Sequence, residues 1–292
     1  MPETSAKLRK AYARAIMRSA GVADPRVEAA FAAVPREDFS GPPPWRIGGG
    51  GFGLASDTDL ARLYDDVLVA IDASRGINNG QPSLHAMSIA ALAIKEGETV
   101  VQIGAGAGYY TAILAHLVGP TGKVIAYEIE RDIAEQARAN LAAFPQVEVR
   151  ARSGAGPDPA AGRIEVPPRP GGEESLPKAD AIYVNCAASH PPRPWLDALK
   201  PGGRLLFPLQ AARSTGAMLL VTRPAEESKA WPAKLLGGVV FIACEGAQDA
   251  EMGRKLDEAF RRGGAHGVRW LHFEETPIEA AWLAGDGWAL TK

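Results

Sequence analysis

The stretch Val100-Val101-Gln102-Ile103-Gly104-Ala105-Gly106-Ala107-Gly108-Tyr109 predicts a short buried strand that runs into a glycine-rich turn. Glycines directly after a strand let a ligand approach the backbone at the carboxyl edge of a parallel sheet, where open α/β folds bind cofactors. The spacing is GxGxG, whereas a dinucleotide fingerprint reads GxGxxG, and position 109 is tyrosine. The stretch therefore indicates a cofactor loop and argues against an NAD-dependent oxidoreductase.

The segments after this loop repeat the alternation of helix and strand. A helix is predicted through Tyr110 to Val118, a strand over Lys123 to Glu128, and a helix from about Arg131 to Phe144. Strands that alternate with helices are typical of a parallel, doubly wound sheet. Glu128 ends its strand 24 residues after Gly104, where an acid commonly accepts hydrogen bonds from ribose hydroxyls.

The remainder of the chain completes a Rossmann-like α/β fold with a mostly parallel sheet and an antiparallel edge. Helices are predicted over 5–20 and after Asp24-Pro25, and residues 41–53 are predicted to be a loop from their Gly and Pro content. Further strands are predicted at 147–150, 179–186, 204–209, 218–223 and 239–243. Residues 154–177 are predicted to form a proline-rich, irregular insertion. We expect a helical cap and loop at 1–80, a cofactor-binding core at 81–245 and a C-terminal extension at 246–292.

Composition excludes several classes of protein. The 292 residues are 46% hydrophobic and 23% charged, as in an ordinary globular protein. A net charge of −2 argues against nucleic acid as a partner, because no general positive field is present. Cys186 and Cys244 have no disulfide or zinc spacing, so no metal is predicted. No apolar run reaches membrane-spanning length, so we expect no membrane partner and a cytoplasmic location.

The sequence resembles the protein-L-isoaspartate O-methyltransferases, a family of S-adenosylmethionine-dependent methyltransferases. Five matches occur in the family's order, over roughly residues 7–245: Val34-Pro35-Arg36-Glu37-Asp38-Phe39, Gly80-Gln81-Pro82, the Gly104 loop with Tyr109, Asp180-Ala181-Ile182 before Ala187-Ala188, and Leu199-Lys200-Pro201-Gly202-Gly203-Arg204. The first two are specific to this family, whereas the last two occur across methyltransferases.

The resemblance implies S-adenosylmethionine as cofactor and a carboxylate of a protein or peptide as methyl acceptor, with isoaspartyl repair as the default role. Glu128 is expected to hold the ribose, and the other expected cofactor contacts are Gln102, Gly104, Ala105, Gly106, Gly108, Tyr109, Ser153 and Gly154. A carboxylate is already ionised at neutral pH, so this chemistry needs alignment rather than a general base.

Three departures from the family pattern fall in the expected site. Asn78-Asn79-Gly80 stands where the family has Thr-Ile-Ser, Arg152-Ser153-Gly154 stands for Gly-Asp-Gly, and Gln102 replaces a glutamate. Because the serine hydroxyl is missing, the candidate residues for the acceptor site are Asn78, Asn79, Gly80, Ser83 and His85. For Asn78 and Asn79 a turn is the alternative to a catalytic amide, and for His85 the alternative is packing.

Two other functions stay open at this stage. One is methylation of another acceptor, such as a modified peptide or a small metabolite, because the acceptor motif has changed. The other is a non-catalytic binding protein that retains the methyltransferase fold. The sequence does not give the oligomeric state or the role of residues 246–292.

Overall fold

The computed structural model describes residues 2–49, 52–156, 175–273 and 281–292. The chain forms two compact units. The first contains Met1–Val100 with Ala105–Arg152, and the second contains Val101–Gly104 with Ser153–Lys292. Part of the predicted proline-rich insertion, residues 157–174, lies outside the described residues. No helix in the described part of the chain is long and apolar enough to cross a bilayer.

In the first unit, the described residues form six α-helices, six complete strands and the start of a seventh. Its helices are α1 (Pro2–Ala20), α2 (Pro25–Ala33), α3 (Leu60–Leu63), α4 (Pro82–Leu92), α5 (Tyr109–Val118) and α6 (Arg131–Asn140). Its strands are β1 (Trp45–Gly49), β2 (Phe52–Asp57), β3 (Leu68–Asp72), β4 (Ile77–Asn78), β5 (Thr99–Ile103), β6 (Lys123–Glu128) and β7 (Val147–Ala151). A short 3₁₀ helix over Arg36–Phe39 follows α2. The last three residues of β5 count with the second unit.

The N-terminal helices form where the sequence predicts them. The Asp24 side chain accepts hydrogen bonds from Arg26 N and Val27 N, so it caps α2 just before Pro25. The apolar stripe of α2 is buried, as are Tyr12 and Ile16 of α1. The Arg26 guanidinium donates to Ile94 O and Leu117 O, both at 2.7 Å, which fixes α2 against the ends of α4 and α5.

The prediction of a loop over residues 41–53 is wrong. β1 pairs antiparallel with β2 and with β3, and β3 pairs with β4, in the order β2-β1-β3-β4. The physical reason is a small core of its own, in which Trp45 and Ile47 pack with Leu63 and Val69. Glycine content concealed this alternation, since the signal consists of only two inward-facing apolar residues.

The predicted strand–helix–strand–helix unit is confirmed by β5, α5, β6 and α6. β6 pairs in parallel with β7, with Val124 opposite Val147 and Glu128 opposite Ala151. β5 lies next to β6 in the sheet. β6 and β7 therefore end at the same edge, and Glu128, the last residue of β6, lies there.

Within the described ranges, the second unit has two α-helices and seven complete strands. They are β8 (Ala179–Val184), α7 (Arg193–Ala198), β9 (Leu199–Leu209), β10 (Gly216–Thr222), β11 (Ala230–Val239), α8 (Ala250–Arg262), β12 (Trp270–His272), β13 (Leu283–Gly285) and β14 (Trp288–Thr291). β8 and β9 are parallel, whereas β10 runs antiparallel to both β9 and β11. β12, β14 and β13 continue the sheet beyond β11, all antiparallel.

The predicted antiparallel pairing at this side is confirmed, but the predicted strand over 239–243 is wrong. β11 ends at Val239, and the apolar residues after it are bonded to other parts of the unit. Gln210 Oε1 accepts from Phe241 N at 2.8 Å, and Ala187 N donates to Ile242 O at 2.8 Å. The exposed side chains of Val240 and Ile242 gave the segment its strand-like composition.

Candidate active site

The turn after β5 adopts a backbone conformation that requires glycine. Gly104, Gly106 and Gly108 have φ values of 81°, 55° and 94°, in the left-handed region that L-residues avoid. A Cβ on Gly106 would lie 2.8 Å from Ile71 Cδ1, and one on Gly108 would lie 2.7 Å from Leu141 Cδ1. A side chain at Gly106 or Gly108 would therefore collide with its neighbours as well as strain the backbone.

Glu128 fastens this turn at the end of β6. Its Oε2 accepts from Gly106 N at 2.8 Å, and its Oε1 accepts from Glu130 N at 3.1 Å, just ahead of α6. The side chain is buried, and burial raises the pKa of the carboxyl above its ordinary value, opposed by the N–H donors of Glu130, Gly106 and Ile129. One carboxylate thus connects the glycine turn to the start of α6.

The residues of this edge fit a nucleoside-containing cofactor. A carboxylate has about four lone-pair positions, and the two backbone bonds leave Glu128 with capacity for ribose hydroxyl donors. The left-handed glycines give the cofactor's chain an approach free of side chains. Gly104, Ala105, Gly106 and Gly108 all lie in the turn, and Ala105 N donates to Tyr127 O at 3.0 Å. Their contacts with a cofactor stay predictions.

A segment that sequence analysis missed covers this turn. β3 brings Ile71 against Gly106, and the turn between β3 and β4 carries Arg75. The Arg75 guanidinium pairs with Asp72 at 2.6 Å, Glu130 at 2.7 Å and Asp132 at 2.6 Å. These ion pairs therefore connect the β3–β4 hairpin to the start of α6. No signal in the sequence points to this pairing, since 55 residues separate Arg75 from Glu130.

Asn78 and Asn79 form the turn that leads into α4. Asn78 Oδ1 accepts from Gly80 N at 2.9 Å, and Asn79 Oδ1 accepts from Val69 N at 2.9 Å. Asn78 thus makes a turn with Gly80, whereas Asn79 is bonded across to Val69 of β3, and a catalytic role for either amide stays a prediction. Gly80 has a φ of 72°, again in the left-handed region.

Ser83 lies in the first turn of α4 with Asp66 at its backbone. Asp66 Oδ1 accepts from Ser83 N at 2.8 Å, and Asp66 Oδ2 accepts from Gln81 Nε2 at 3.1 Å. A carboxylate at a helix N-terminus is stabilised by the unpaired N–H groups there. Asp66 therefore caps α4 from a distant part of the chain, and Ser83 is almost fully buried beside it.

His85 is buried two residues further along α4. Its ring stacks on Tyr110, with centroids 3.6 Å apart and planes 7° from parallel. Burial and the nearby positive charge of Arg36 lower the pKa of His85 to about 3. The imidazole is therefore neutral at physiological pH.

Tyr109 is placed in an aromatic cluster of the first unit. Its hydroxyl donates to Tyr12 Oη at 3.3 Å, and its ring packs edge-on against Phe31 and Phe39. The side chain is buried. These contacts show that the side chain packs in the core beside the glycine turn, and a direct contact with a cofactor stays a prediction.

Arg36 is the buried charge that sequence analysis did not single out. Its guanidinium donates to Leu63 O, Asp65 O and Val67 O at 2.6, 3.0 and 2.6 Å, and none of its surface is exposed. It also lies 5.7 Å from the centre of the Tyr12 ring. The available signal was its position inside the family motif at residues 34–39. Its bonds hold the chain between α3 and β3, directly before Val69.

The remaining candidates belong to the second unit. Gln102 is fully buried in β5. Ser153 Oγ accepts from Ala155 N at 3.2 Å, and Gly154 O accepts from Trp195 Nε1 at 2.9 Å. These bonds shape the segment after β7, and contacts of the three residues with a cofactor stay predictions. Within the described ranges, no three His, Cys, Asp or Glu side chains are grouped as metal ligands.

Solved structures share this fold over most of the chain. A protein-L-isoaspartate O-methyltransferase structure matches 87% of this chain and 69% of its own, with a TM-score of 0.61 and 22% identity. A structure from Plasmodium falciparum, described as such an enzyme in complex with S-adenosyl-L-homocysteine, matches 81% of this chain and 97% of its own, with a TM-score of 0.60 and 20% identity. The fold is that of the class I methyltransferases, which use S-adenosylmethionine.

Sequence comparison identifies the family within this class. The profile of "Protein-L-isoaspartate(D-aspartate) O-methyltransferase (PCMT)" matches residues 56–248. A protein-L-isoaspartate O-methyltransferase of Rhodopseudomonas palustris is 32% identical over 230 residues, which are 78% of this chain and 88% of the relative. One from Brucella anthropi is 32% identical over 183 residues, covering 63% and 75%. The chain belongs to the protein-L-isoaspartate O-methyltransferase family and is an S-adenosylmethionine-dependent methyltransferase.

Proposed function

We propose that this protein methylates the free α-carboxylate of isoaspartyl residues in proteins or peptides. The observation that carries the proposal is Glu128, whose carboxylate holds the N–H of Gly106 while keeping acceptor capacity for a ribose. Family membership supplies the class of acceptor. The proposed role is repair of aged proteins in the cytoplasm.

For this reaction the protein has to align the carboxylate with the methyl group, and no general base is needed. When bound, S-adenosylmethionine supplies a sulfonium methyl group; a carboxylate oxygen forms the new C–O bond as the C–S bond breaks and its electron pair passes to sulfur. The acceptor carboxyl has an unperturbed pKa of roughly 3.5, so it is already ionised at neutral pH. Holding the two reactants in line converts a bimolecular step into an effectively unimolecular one.

We assign the acceptor side of the site to the start of α4. Asn78 and Asn79 shape the entry turn through their backbone bonds, and Gly80 removes any side chain at its end. The Ser83 hydroxyl is proposed to donate a hydrogen bond to the carboxylate that receives the methyl group. The neutral ring of His85 packs against Gly80. Gly104 to Gly108 and Glu128 are the proposed main contacts of the cofactor, and Gln102, Tyr109, Ser153 and Gly154 are proposed as further contacts.

Repair itself can be followed without a methyl label. An isoaspartyl peptide is incubated with the protein and S-adenosylmethionine, and chromatography separates it from the aspartyl isomer. Methyl esters are better acyl donors than carboxylates, so the next backbone nitrogen attacks the ester carbonyl, loses its proton and expels methanol to form a succinimide. Water then opens the succinimide partly to aspartate. We expect accumulation of the aspartyl peptide only with cofactor present. Ester formation without the isomer would support methylation and contradict repair.

One feature, the absence of a hydroxyl at position 80, favours a different methyl acceptor as the alternative function. In that case the protein binds the cofactor but methylates another carboxylate, such as one in a modified peptide or a small metabolite. The non-catalytic alternative predicts no cofactor binding at all. A true binder at a cofactor concentration 100 times Kd gains about 2.7 kcal/mol of stability, which is visible as a shift in Tm.

A further inference from the structure

Asn185 follows β8 and lies against the first glycine of the turn. Its N–H donates to Ile103 O at 2.8 Å, directly before Gly104. A Cβ built on Gly104 would lie 3.5 Å from Asn185 Cβ, which is ordinary contact. The side chain of Asn185 therefore starts at the edge of the sheet where the turn begins, within the second unit.

The amide oxygen of Asn185 is buried and has no hydrogen-bond partner among the residues that the structure describes. Buried polar atoms in native proteins are nearly always hydrogen-bonded, so an exception asks for an explanation. Gln210, in the same unit, shows the usual situation: its amide oxygen accepts from Phe241 N at 2.8 Å and its amide nitrogen donates to Phe241 O at 2.9 Å. Asn185 thus has a hydrogen-bond acceptor beside Gly104 that no described residue uses.

The donor that fits this oxygen is chemically restricted. S-adenosylmethionine carries three kinds of N–H or O–H donor: the ribose hydroxyls, the adenine amino group and the α-ammonium group of its methionine end. The proposed function gives the ribose to Glu128, and we assign the adenine amino group to Ser153 and Gly154, which stand where the family has Gly-Asp-Gly. The methionine end remains, and an ammonium group is a donor with no acceptor capacity.

We propose that Asn185 is a further cofactor-binding residue, whose Oδ1 accepts a hydrogen bond from the α-ammonium group of S-adenosylmethionine. The inference rests on the proposed function, because it needs that cofactor. Hydrogen bonds to an ionised donor are stronger than neutral ones, so this contact discriminates between nucleosides with and without the amino-acid portion. The residue binds and orients the cofactor, and no bond is made or broken at it.

Calorimetric titration with two ligands tests the assignment. S-adenosyl-L-homocysteine carries the ammonium group, whereas 5′-methylthioadenosine has the same nucleoside and lacks the amino-acid portion. We expect Asn185→Ala to weaken the first by about tenfold, as the loss of one charge-assisted hydrogen bond implies, and to change the second by less than about twofold. Asn185→Asp, whose carboxylate also accepts from an ammonium group, is expected to retain binding of the first ligand.

The control and the contradicting outcomes are defined by the same titrations. Gln146→Ala removes a partly buried amide that donates to Ala115 O, away from the turn, and is expected to leave both affinities unchanged. Equal losses for the two ligands in Asn185→Ala, or no loss for either, would overturn the role of Asn185 while leaving the proposed function intact. Failure of the unaltered protein to bind S-adenosyl-L-homocysteine would overturn both. Each variant's Tm confirms that the titrated protein is folded.

Discussion

The imidazole of His85 occupies the space that a side chain on Gly80 would fill. A Cβ built on Gly80 would overlap with His85 Nε2 and lie 3.0 Å from its Cδ2. The resembling family has serine at position 80, so here the hydroxyl is absent and its place is taken by a neutral ring stacked on Tyr110. Gly80 and His85 are therefore expected to be coupled: a side chain at one position requires a smaller one at the other.

Restoring the serine is expected to harm this protein. Gly80→Ser combines a left-handed φ, which costs roughly 1–2 kcal/mol, with overlap against His85. Gly97→Ser is the matched control, because Gly97 also has a positive φ and a Cβ there would meet only Thr121 Oγ1, at 3.6 Å. Urea unfolding is expected to show a larger loss for Gly80→Ser, and adding His85→Ala is expected to recover part of it. Equal losses at positions 80 and 97 would contradict the overlap.

Glu128 is expected to contribute to both binding and stability. Glu128→Gln keeps one acceptor oxygen for the Gly106 N–H but loses the charge, and hydrogen bonds to charged groups contribute about 1.5–3 kcal/mol. We expect S-adenosyl-L-homocysteine affinity to fall by about 10- to 100-fold in calorimetry. Glu130→Gln is the control, since that side chain is partly exposed and pairs with Arg75. Unchanged affinity in Glu128→Gln would contradict the proposal that Glu128 binds the ribose.

Gly106 tests whether the cofactor passes along the turn. Gly106→Val puts a branched side chain against Ile71 and into the path of the ligand, so we expect loss of S-adenosyl-L-homocysteine binding beyond the loss of stability. Gly97→Val carries a comparable backbone strain at a position away from the turn, and it is expected to bind normally where folded. Normal turnover by Gly106→Val would contradict the placement of the cofactor.

His85 makes stability depend on pH in a defined direction. Its pKa is about 3 in the folded protein and roughly 6.5 when unfolded. Between these values the unfolded chain binds a proton that the folded protein does not, so stability falls as pH falls below about 6.5. The loss approaches about 1.4 kcal/mol per pH unit. His85→Phe keeps a ring on Tyr110 without titrating, so its unfolding free energy is expected to fall less steeply from pH 6 to 4. Parallel curves for the two proteins would contradict a buried, neutral His85.

Local patterns predicted the cofactor edge well. The glycine turn and Glu128 follow from strand periodicity and from spacing along the chain, because consecutive parallel strands end at one edge of a sheet. The turn at Asn78 was an open alternative for the same reason, because its side chain accepts from the backbone N–H two residues further on. These features depend on neighbours in the sequence.

Long-range pairings were not predictable in this way. Arg36 was overlooked because arginine is rarely buried, and only the fold brings three carbonyls around it. The β1–β2 hairpin depends on the packing of Trp45 and Ile47 with Leu63 and Val69, which a glycine-rich composition conceals. Arg75 and the His85–Gly80 contact likewise arise from three-dimensional placement.

The central claim is methyl transfer to an isoaspartyl carboxylate, and labelled transfer tests it most directly. A peptide with one isoaspartate and its matched aspartyl peptide are incubated with the protein and methyl-labelled S-adenosylmethionine, and base-labile label is counted. We predict labelling of the isoaspartyl peptide alone, abolished in Gly106→Val. Absence of label in a preparation whose Tm rises with the cofactor would contradict the claim and assign the site at Asn78-Asn79-Gly80 to a different acceptor.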